Sequence, residues 1–281
     1  MADWYRDWQH PAHAVHFDGR AGLRPWELVR ELESFNDIRL LTSRLHAASA
    51  WTLVEVGCAT GELFRYLRIR YPKMRYAGFD ISEPAISRAR AKYPQGHFVA
   101  CQPGVPLAQT LQDSGLLRGA AACIYAKDVV HHQPHPFEFM EDLLVNATEG
   151  VVMRLRTRDV GPTELDPERS CQYHYDGWMP YMVMNLQEMV DRIHRMVPRS
   201  ELIVLRHHLI LGGRLNRFLP KDCYLPQTGT AETAVGVFLD TDRPGHVTIT
   251  DQEDGRPATH LLSRVRGLAG GAAGRRVQGA P

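Results

Sequence analysis

Residues 53–61, Leu-Val-Glu-Val-Gly-Cys-Ala-Thr-Gly, decide the fold of this chain. The apolar residues at the start of the stretch are typical of a buried parallel strand. Three apolar residues recur after it at helical spacing, Leu63, Phe64 and Leu67. Gly57 and Gly61 bracket the turn between strand and helix, where a residue without a Cβ accepts positive φ and lets a ligand approach the backbone. Because the first N–H groups of a helix lack intrahelical partners, the stretch predicts a ligand-binding strand, turn and helix.

The turn departs from the dinucleotide-binding fingerprint G-x-G-x-x-G. That fingerprint needs glycine where Ala59 and Glu62 stand, and a carboxylate at position 62 would repel a pyrophosphate. Residues 55–61 resemble instead motif I of the class I S-adenosylmethionine-dependent methyltransferases, an acidic residue followed by x-Gly-x-Gly-x-Gly, with Ala59 replacing the middle glycine. The resemblance implies that the turn holds S-adenosylmethionine through Glu55, Gly57, Cys58, Ala59 and Gly61.

A second predicted strand, at residues 75–80, ends in the carboxylate of Asp80, and Ser82 can cap the helix that follows. In a doubly wound sheet an acid at this place can accept hydrogen bonds from both ribose hydroxyls. Asp80 therefore indicates a ribose-bearing cofactor, without distinguishing one nucleoside from another. The alternative is a charge that only stabilises a helix N-terminus. The resemblance adds Asp80 and Ile81 to the cofactor site.

Two further segments resemble the same family. Residues 97–102 predict a third strand, and Gln102 stands where the family commonly has an aspartate near the adenine amino group. Its amide oxygen can accept from that group, although an ordinary loop glutamine fits equally well. Residues 121–134 resemble the fourth-strand motif, an apolar strand followed by an acid, two histidines and proline. This motif adds Lys127 to the cofactor site and brings two histidines beside it.

The two histidines, His132 first and His131 second, are the candidate general bases. Methyl transfer to a hydroxyl group needs an aligned nucleophile and a proton acceptor. A histidine, with an ordinary pKa of about 6.5, suits that task near neutral pH. The alternative is that one histidine caps the loop and the other is solvated.

Three arginines, Arg154, Arg156 and Arg158, alternate along the predicted fifth strand, which begins at Gly150. Period two places them on one face, and buried guanidinium groups need anionic partners. Either acids of the protein pair with them, or Arg156 and Arg158 bind an anionic group of the substrate in bidentate fashion. The sequence leaves both possibilities open.

The connection after the fifth strand is rich in aromatic residues between positions 170 and 181. A connection of this length in a compact domain is usually functional, so it predicts a substrate-facing lid with contacts from His174, Tyr175 and Trp178. The alternative is a satellite hydrophobic cluster under a long loop. No histidine spacing typical of a metal site occurs, and we expect no metal.

Together these segments predict an α/β fold, a doubly wound, seven-stranded and mostly parallel sheet with one antiparallel edge strand. Residues 1–50 predict a helical extension. The resemblance implies that it covers the cofactor as a lid, and the alternative is a helix packed on the sheet edge. Residues 51–245 predict the core, with an insertion at 160–184. Residues 246–281 end in a run of glycine and alanine that cannot repay the entropy of ordering, so this segment is predicted to be partly disordered.

The amino-acid composition limits the kinds of partner that this protein can bind. Lys and Arg total 33 against 32 Asp and Glu, which gives no overall field for holding a nucleic acid. No apolar run is long enough for a membrane span and no signal peptide is evident, so we expect a cytoplasmic protein without a membrane partner. The 5 cysteines are odd in number and form no C-x-x-C pair, which argues against a disulfide framework or structural zinc. The sequence does not determine the oligomeric state, and a homodimer is compatible with it.

The resemblance implies transfer of a methyl group from S-adenosylmethionine to an oxygen or nitrogen of a small molecule of natural-product or saccharide type. Two other classes stay open. A nicotinamide-dependent oxidoreductase would share the sheet and Asp80. A non-catalytic protein of the same fold would bind the cofactor without transferring its methyl group.

Overall fold

The computed structural model describes residues 4–45, 52–115, 123–174, 177–208, 230–239, 241–252 and 266–267. Its first five strands run parallel to one another in the order β3-β2-β1-β4-β5. They are β1 (Thr52–Val56), β2 (Arg75–Asp80), β3 (His97–Ala100), β4 (Cys123–Lys127) and β5 (Gly150–Arg158). Strand order reverses between β1 and β4, which is where a doubly wound sheet binds its ligand.

Beyond β5 the sheet continues through four later strands. They are, in chain order, β9 (Glu201–His208), β10 (Thr230–Phe238), β11 (Val247–Gln252) and β12 (Arg266–Gly267), and their spatial order from β5 is β10, β9, β11, β12. β10 is antiparallel to both of its neighbours. The α/β, mostly parallel fold class is therefore confirmed, but the predicted edge position of the antiparallel strand is wrong. β10 is buried along almost its whole length, so it lies inside the sheet.

The described sheet has ten strands where the sequence predicted seven. β11 pairs in parallel with the outer side of β9, and two short strands add a few more hydrogen bonds. The core therefore continues past the predicted boundary at residue 245 to at least residue 252. The rest of the segment predicted to be disordered, apart from β12, lies outside the described residues.

Helices cover both faces of the sheet. They are α1 (Pro11–His16), α2 (Pro25–Leu32), α3 (Asn36–Leu45), α4 (Glu62–Arg70), α5 (Glu83–Lys92), α6 (Leu107–Asp113), α7 (Pro136–Asn146) and α8 (Leu186–Met196). Successive residues of β1 point into different cores: Leu53 packs with α2 to α5, and Val54 packs with α6 to α8. This alternation is the expected period of a strand that is buried on both faces. No helix within the described residues is long and apolar enough to cross a membrane.

The N-terminal extension packs on the sheet and also reaches its carboxyl end. α3 lies against β10, and α2 lies against α4. A 3-10 turn at Asp7–Gln9 and α1 lie against α5, and the Gln9 side chain donates a hydrogen bond of 3.1 Å to the Ile81 carbonyl. The packing of the extension on the sheet is therefore observed for α3, and the residues before α2 lie near the carboxyl end of β2; the role of a lid over the cofactor stays a prediction.

The insertion after β5 contains a separate hairpin of β6 (Cys171–His174) and β7 (Gly177–Pro180). The chain returns to the sheet at β8 (Met184–Asn185), which pairs in parallel with the end of β5. Next to the hairpin, the Met182 N–H donates to the His131 carbonyl at 2.7 Å. This hydrogen bond ties the insertion to the loop that follows β4.

Candidate active site

A cavity of about 730 Å³ opens beyond the carboxyl ends of β1, β2, β4 and β5. Its volume is in the range of small-molecule and cofactor pockets. Most residues that the sequence predicts for the site line it: Glu55, Gly57, Cys58, Ala59, Asp80, Ile81, Gln102, Lys127, His131, His132 and Arg156. The N-terminal extension supplies the cover, through Trp8, His13 and Phe17 among others.

The turn after β1 has the positive φ angles that its two glycines predict. Gly57 has φ +79°, and its N–H donates to the Phe79 carbonyl at 2.7 Å. A Cβ at position 57 would lie 2.3 Å from Cγ2 of Val129, so any other residue there would have to displace the Val129 side chain. Gly61 has φ +83° and begins α4, but it does not line the cavity. Its part is to shape the turn, and the predicted contact of Gly61 with the cofactor is not supported.

Asp80 ties the end of β2 to the turn after β1. Its carboxylate accepts hydrogen bonds of 2.8 Å from the N–H groups of Ala59 and Ser82. Burial raises the pKa of Asp80, and these backbone hydrogen bonds oppose the rise. A carboxylate offers about four acceptor positions, so roughly two remain for a ligand in the cavity. The helix-terminus role and the cofactor role are therefore compatible in this residue.

Glu55 is an acid enclosed beneath the turn, with only 6% of its surface exposed. The Tyr76 hydroxyl donates a hydrogen bond to it. Burial raises the pKa of Glu55 to about 8, although the Tyr76 hydrogen bond and the charge of Lys127 act in the opposite direction. A cationic group placed in the cavity near Glu55 would favour its ionised form.

Lys127 is a cation at the end of β4 that faces the aromatic ring of Phe35. Its Nζ lies 4.6 Å from the ring centroid. Among the described residues no carboxylate oxygen lies within 4.0 Å of the Lys127 Nζ, whereas Arg20, another cation that lines the cavity, is paired with Glu31 and Glu62. Lys127 is therefore suited to meet an anionic group of a ligand.

Charged residues form the floor of the cavity at the ends of β4 and β5, and we call them the charged floor: Asp128, Arg154, Arg156 and Glu232. A fifth charged residue, the fully buried Asp37, lies 4.0 Å from Arg154 but does not line the cavity. Arg154 binds Asp128 through two guanidinium nitrogens, and Arg156 lies 3.2 Å from Asp128 and 3.1 Å from Glu232. Burial alone would raise the pKa of Asp128, but both arginines outweigh it and hold that pKa far below its usual range. Acids of the protein therefore pair with Arg154 and Arg156, which decides the choice left open by the sequence.

The third arginine of the alternation does not reach the cavity. The Nε of Arg158 donates to the Val160 carbonyl at 2.7 Å, and the residue is absent from the cavity lining. Arg156 is paired with acids of the protein, and the half-buried Arg158 does not line the cavity, so the two arginines predicted to clamp an anion do not meet in this cavity.

His132 has a defined tautomer. Its Nδ1 lies 2.9 Å from the Pro180 carbonyl oxygen, which can only accept, so Nδ1 carries the proton. In the neutral ring Nε2 is then the unprotonated nitrogen. The ring lies edge-on to Trp8, with 4.6 Å between centroids, and 4.1 Å from the ring of His131.

His131 is more deeply enclosed than His132, with 1% of its surface exposed. Burial, His132 and Arg156 lower its pKa well below the usual value, so the ring is neutral. Its Nδ1 has no hydrogen-bond partner among the described residues, and His131 lines the cavity. His131 is therefore better suited to bind a ligand through this nitrogen than to accept a proton.

The insertion contributes different residues from those that the sequence predicts. Trp178 is 47% exposed and does not line the cavity. Tyr175 and the side chain of His174 lie outside the described residues. Gln172 and Tyr181 line the cavity instead. Within the described part of the chain no three His, Cys, Asp or Glu side chains are grouped to hold a metal ion.

Sequence reasoning missed the residues that reach the site from distant segments. Glu232 stands directly opposite Arg156 in the pairing of β10 with β5. Asp37 comes from α3, and Trp8 comes from the turn before α1. No local spacing signals these contacts, since each depends on how the sheet and the extension assemble.

Comparison with known proteins places these features in a family. The family model for a methyltransferase domain matches residues 29–207. Among solved structures, the chain is similar to the plantazolicin methyltransferase BamL in complex with a triazolic desmethylPZN analog and S-adenosylhomocysteine (SAH), with a TM-score of 0.50, 12% identity, and coverage of 84% of this chain and 94% of that one. It is also similar to the N-terminal domain of EvdMO1 with SAH bound, with a TM-score of 0.49, 12% identity and coverage of 74% and 83%. A search of curated proteins found no match.

Proposed function

Because the chain belongs to the methyltransferase-domain family, and so is an S-adenosylmethionine-dependent methyltransferase, we propose that it methylates an oxygen or nitrogen of a small molecule with His132 as the base. One observation carries the proposal: a single cavity joins the Gly57 turn and Asp80 to the ring of His132. The family membership also sets aside the nicotinamide-dependent oxidoreductase.

The cofactor side of the cavity fits S-adenosylmethionine. The remaining acceptor positions of Asp80 suit the two ribose hydroxyls, and the Gly57 turn lines the same cavity. Lys127 suits the cofactor carboxylate, and Glu55 suits its ammonium group, since a cation would favour the ionised acid. Gln102 lines the same cavity and is proposed to meet the adenine. The cofactor supplies a methyl group that is already activated on a sulfonium, so the protein mainly orients and desolvates.

His132 is the better of the two candidate bases. The Pro180 carbonyl fixes the proton on Nδ1 and leaves Nε2 as the proton acceptor. When Nε2 accepts the hydroxyl proton of the acceptor, the same Pro180 carbonyl stabilises the imidazolium through the Nδ1–H hydrogen bond. His131 is less suited, because its lowered pKa disfavours the protonated ring. A base of this kind favours an oxygen over a nitrogen as the methylated atom.

The test replaces His132 by alanine and measures both turnover and SAH affinity. Removal of a general base should lower kcat by about 10²–10⁴-fold. The Kd for SAH should stay within about twofold of the wild-type value, because the Asp80 side of the cavity is unchanged. His135→Ala is the matched control, since His135 lies on the same loop, is exposed and does not line the cavity. Full turnover by His132→Ala would show that His132 is not the base. Tight SAH binding by the wild type without methyl transfer to any acceptor would favour a non-catalytic protein.

A further inference from the structure

Four charged side chains, Asp128, Arg154, Arg156 and Glu232, line the cavity and remain partly exposed although they are paired. Asp128 and Glu232 keep 29% and 30% of their side chains exposed, whereas Arg154 and Arg156 are more deeply buried. All four line the cavity beside His131. A methyl acceptor placed next to His132 would therefore rest on groups that are charged but already paired.

The pairing within the floor disfavours two classes of acceptor. The two arginines that line the cavity are already paired with the two acids that line it, so they offer an anionic acceptor no unpaired positive charge, and the exposed carboxylates of Asp128 and Glu232 would repel it. An apolar acceptor would strip water from the exposed carboxylates without replacing their hydrogen bonds, which is costly. A neutral acceptor with several hydroxyl groups avoids both costs, because each hydroxyl can donate to a carboxylate and accept from a guanidinium.

Two buried nitrogens point to the same chemistry. Nδ1 of His131 and Nε1 of Trp8 are enclosed at the cavity wall and have no hydrogen-bond partner among the described residues. A buried polar group left without a partner costs about 1–3 kcal/mol. The indole nitrogen can only donate, while the histidine nitrogen can do either according to its tautomer. Hydroxyl groups satisfy both cases, since each is donor and acceptor.

We propose that the methyl acceptor is a neutral ring bearing several hydroxyl groups, the chemistry of a sugar. Asp128, Glu232 and Arg156 bind the hydroxyls next to the one that is methylated. His131 and Trp8 bind further hydroxyl or ring oxygens. This inference rests on the proposed function, because it takes the ring of His132 as the position of the reacting hydroxyl.

The first experiment compares acceptors with labelled S-adenosylmethionine. Neutral methyl glycosides, the matching uronates and simple phenols are each incubated with the full chain. Neutral glycosides should be methylated with at least tenfold higher kcat/KM than uronates, since about 1.4 kcal/mol of repulsion gives that factor. If no neutral glycoside is methylated, or if uronates or phenols react faster, the inference is wrong. Failure of SAH to bind at all would instead overturn the proposed function.

The second experiment uses Glu232→Gln, which keeps the shape of the side chain and removes its charge. The KM for the glycoside should rise about tenfold, the loss expected for one hydrogen bond to a charged group. The Kd for SAH should not change. Glu141→Gln is the matched control, because Glu141 is 34% exposed, pairs with Arg192 and lies outside the cavity. An unchanged glycoside KM in Glu232→Gln, or an equal rise in Glu141→Gln, would overturn the inference.

Discussion

Gly57→Ala is expected to destabilise the protein by about 3 kcal/mol, from two separate causes. Gly57 has φ +79°, and a left-handed backbone costs an L residue about 1–2 kcal/mol. The added Cβ would lie 2.3 Å from Cγ2 of Val129, so Val129 has to move, and overpacking of this kind costs about 1–3 kcal/mol. The smaller entropy of the unfolded alanine chain offsets about 0.4–1 kcal/mol of the total.

A double-mutant cycle separates these causes. Val129→Ala removes the methyl group that the new Cβ would meet, so the cost of Gly57→Ala in that background should fall to about 1 kcal/mol. Gly104→Ala is the matched control for backbone strain alone. Gly104 has φ +77°, and no atom of the described residues lies within 4 Å of its added Cβ. Its cost should also be about 1 kcal/mol.

Urea unfolding followed by circular dichroism measures the free energy of unfolding of each variant. A coupling of about 1–2 kcal/mol between positions 57 and 129 is the expected result. The reasoning is refuted if Gly57→Ala costs no more than Gly104→Ala, or if the cycle shows no coupling. Either result would mean that the turn does not approach Val129 as the structure has it.

The remaining predictions concern two acids of the cofactor side, Glu55 and Asp80. Glu55 has a pKa of about 8 in the folded protein against an ordinary 4.5, so between these values the folded state holds a proton that the unfolded state has lost. The free energy of unfolding should therefore fall as pH rises through this window, by at most about 1.4 kcal/mol per pH unit, and Glu55→Gln should remove that part of the slope in urea titrations. If the free energy of unfolding of Glu55→Gln fell with pH as steeply as that of the wild type, the raised pKa of Glu55 would be contradicted. Asp80→Asn should weaken SAH binding by at least about tenfold in calorimetry, because a charged acceptor is lost. Unchanged affinity would remove Asp80 from the ribose site.

The parts of the fold and site that the sequence predicts are those encoded over short distances. The apolar strand, the glycines at 57 and 61 and the acid at 80 act within one strand–turn–helix unit or its neighbour, and the structure places them together. The parallel strands could also be predicted from the sequence. Each is buried on both faces, and such a strand has a continuous apolar run where a half-exposed strand would alternate apolar and polar residues.

The parts that could not be predicted depend on contacts between distant segments. Whether Arg156 pairs with protein or substrate is decided by Glu232, and only the register of β10 against β5 brings the two together. The interior position of β10 depends on β11 covering β9, which no local pattern shows. Trp178, a predicted substrate contact, does not line the cavity, because aromatic composition does not tell which side chains of a hairpin meet a cavity.

The most direct test of the central claim is a crystal structure of the protein with SAH. The ribose hydroxyls should lie within hydrogen-bond distance of the Asp80 carboxylate, the homocysteine part should run along Gly57, and the sulfur should face the His132 side of the cavity. SAH bound elsewhere on the molecule, or a cavity that stays without SAH at saturating concentration, would contradict the assignment of this cavity as the methyl-transfer site.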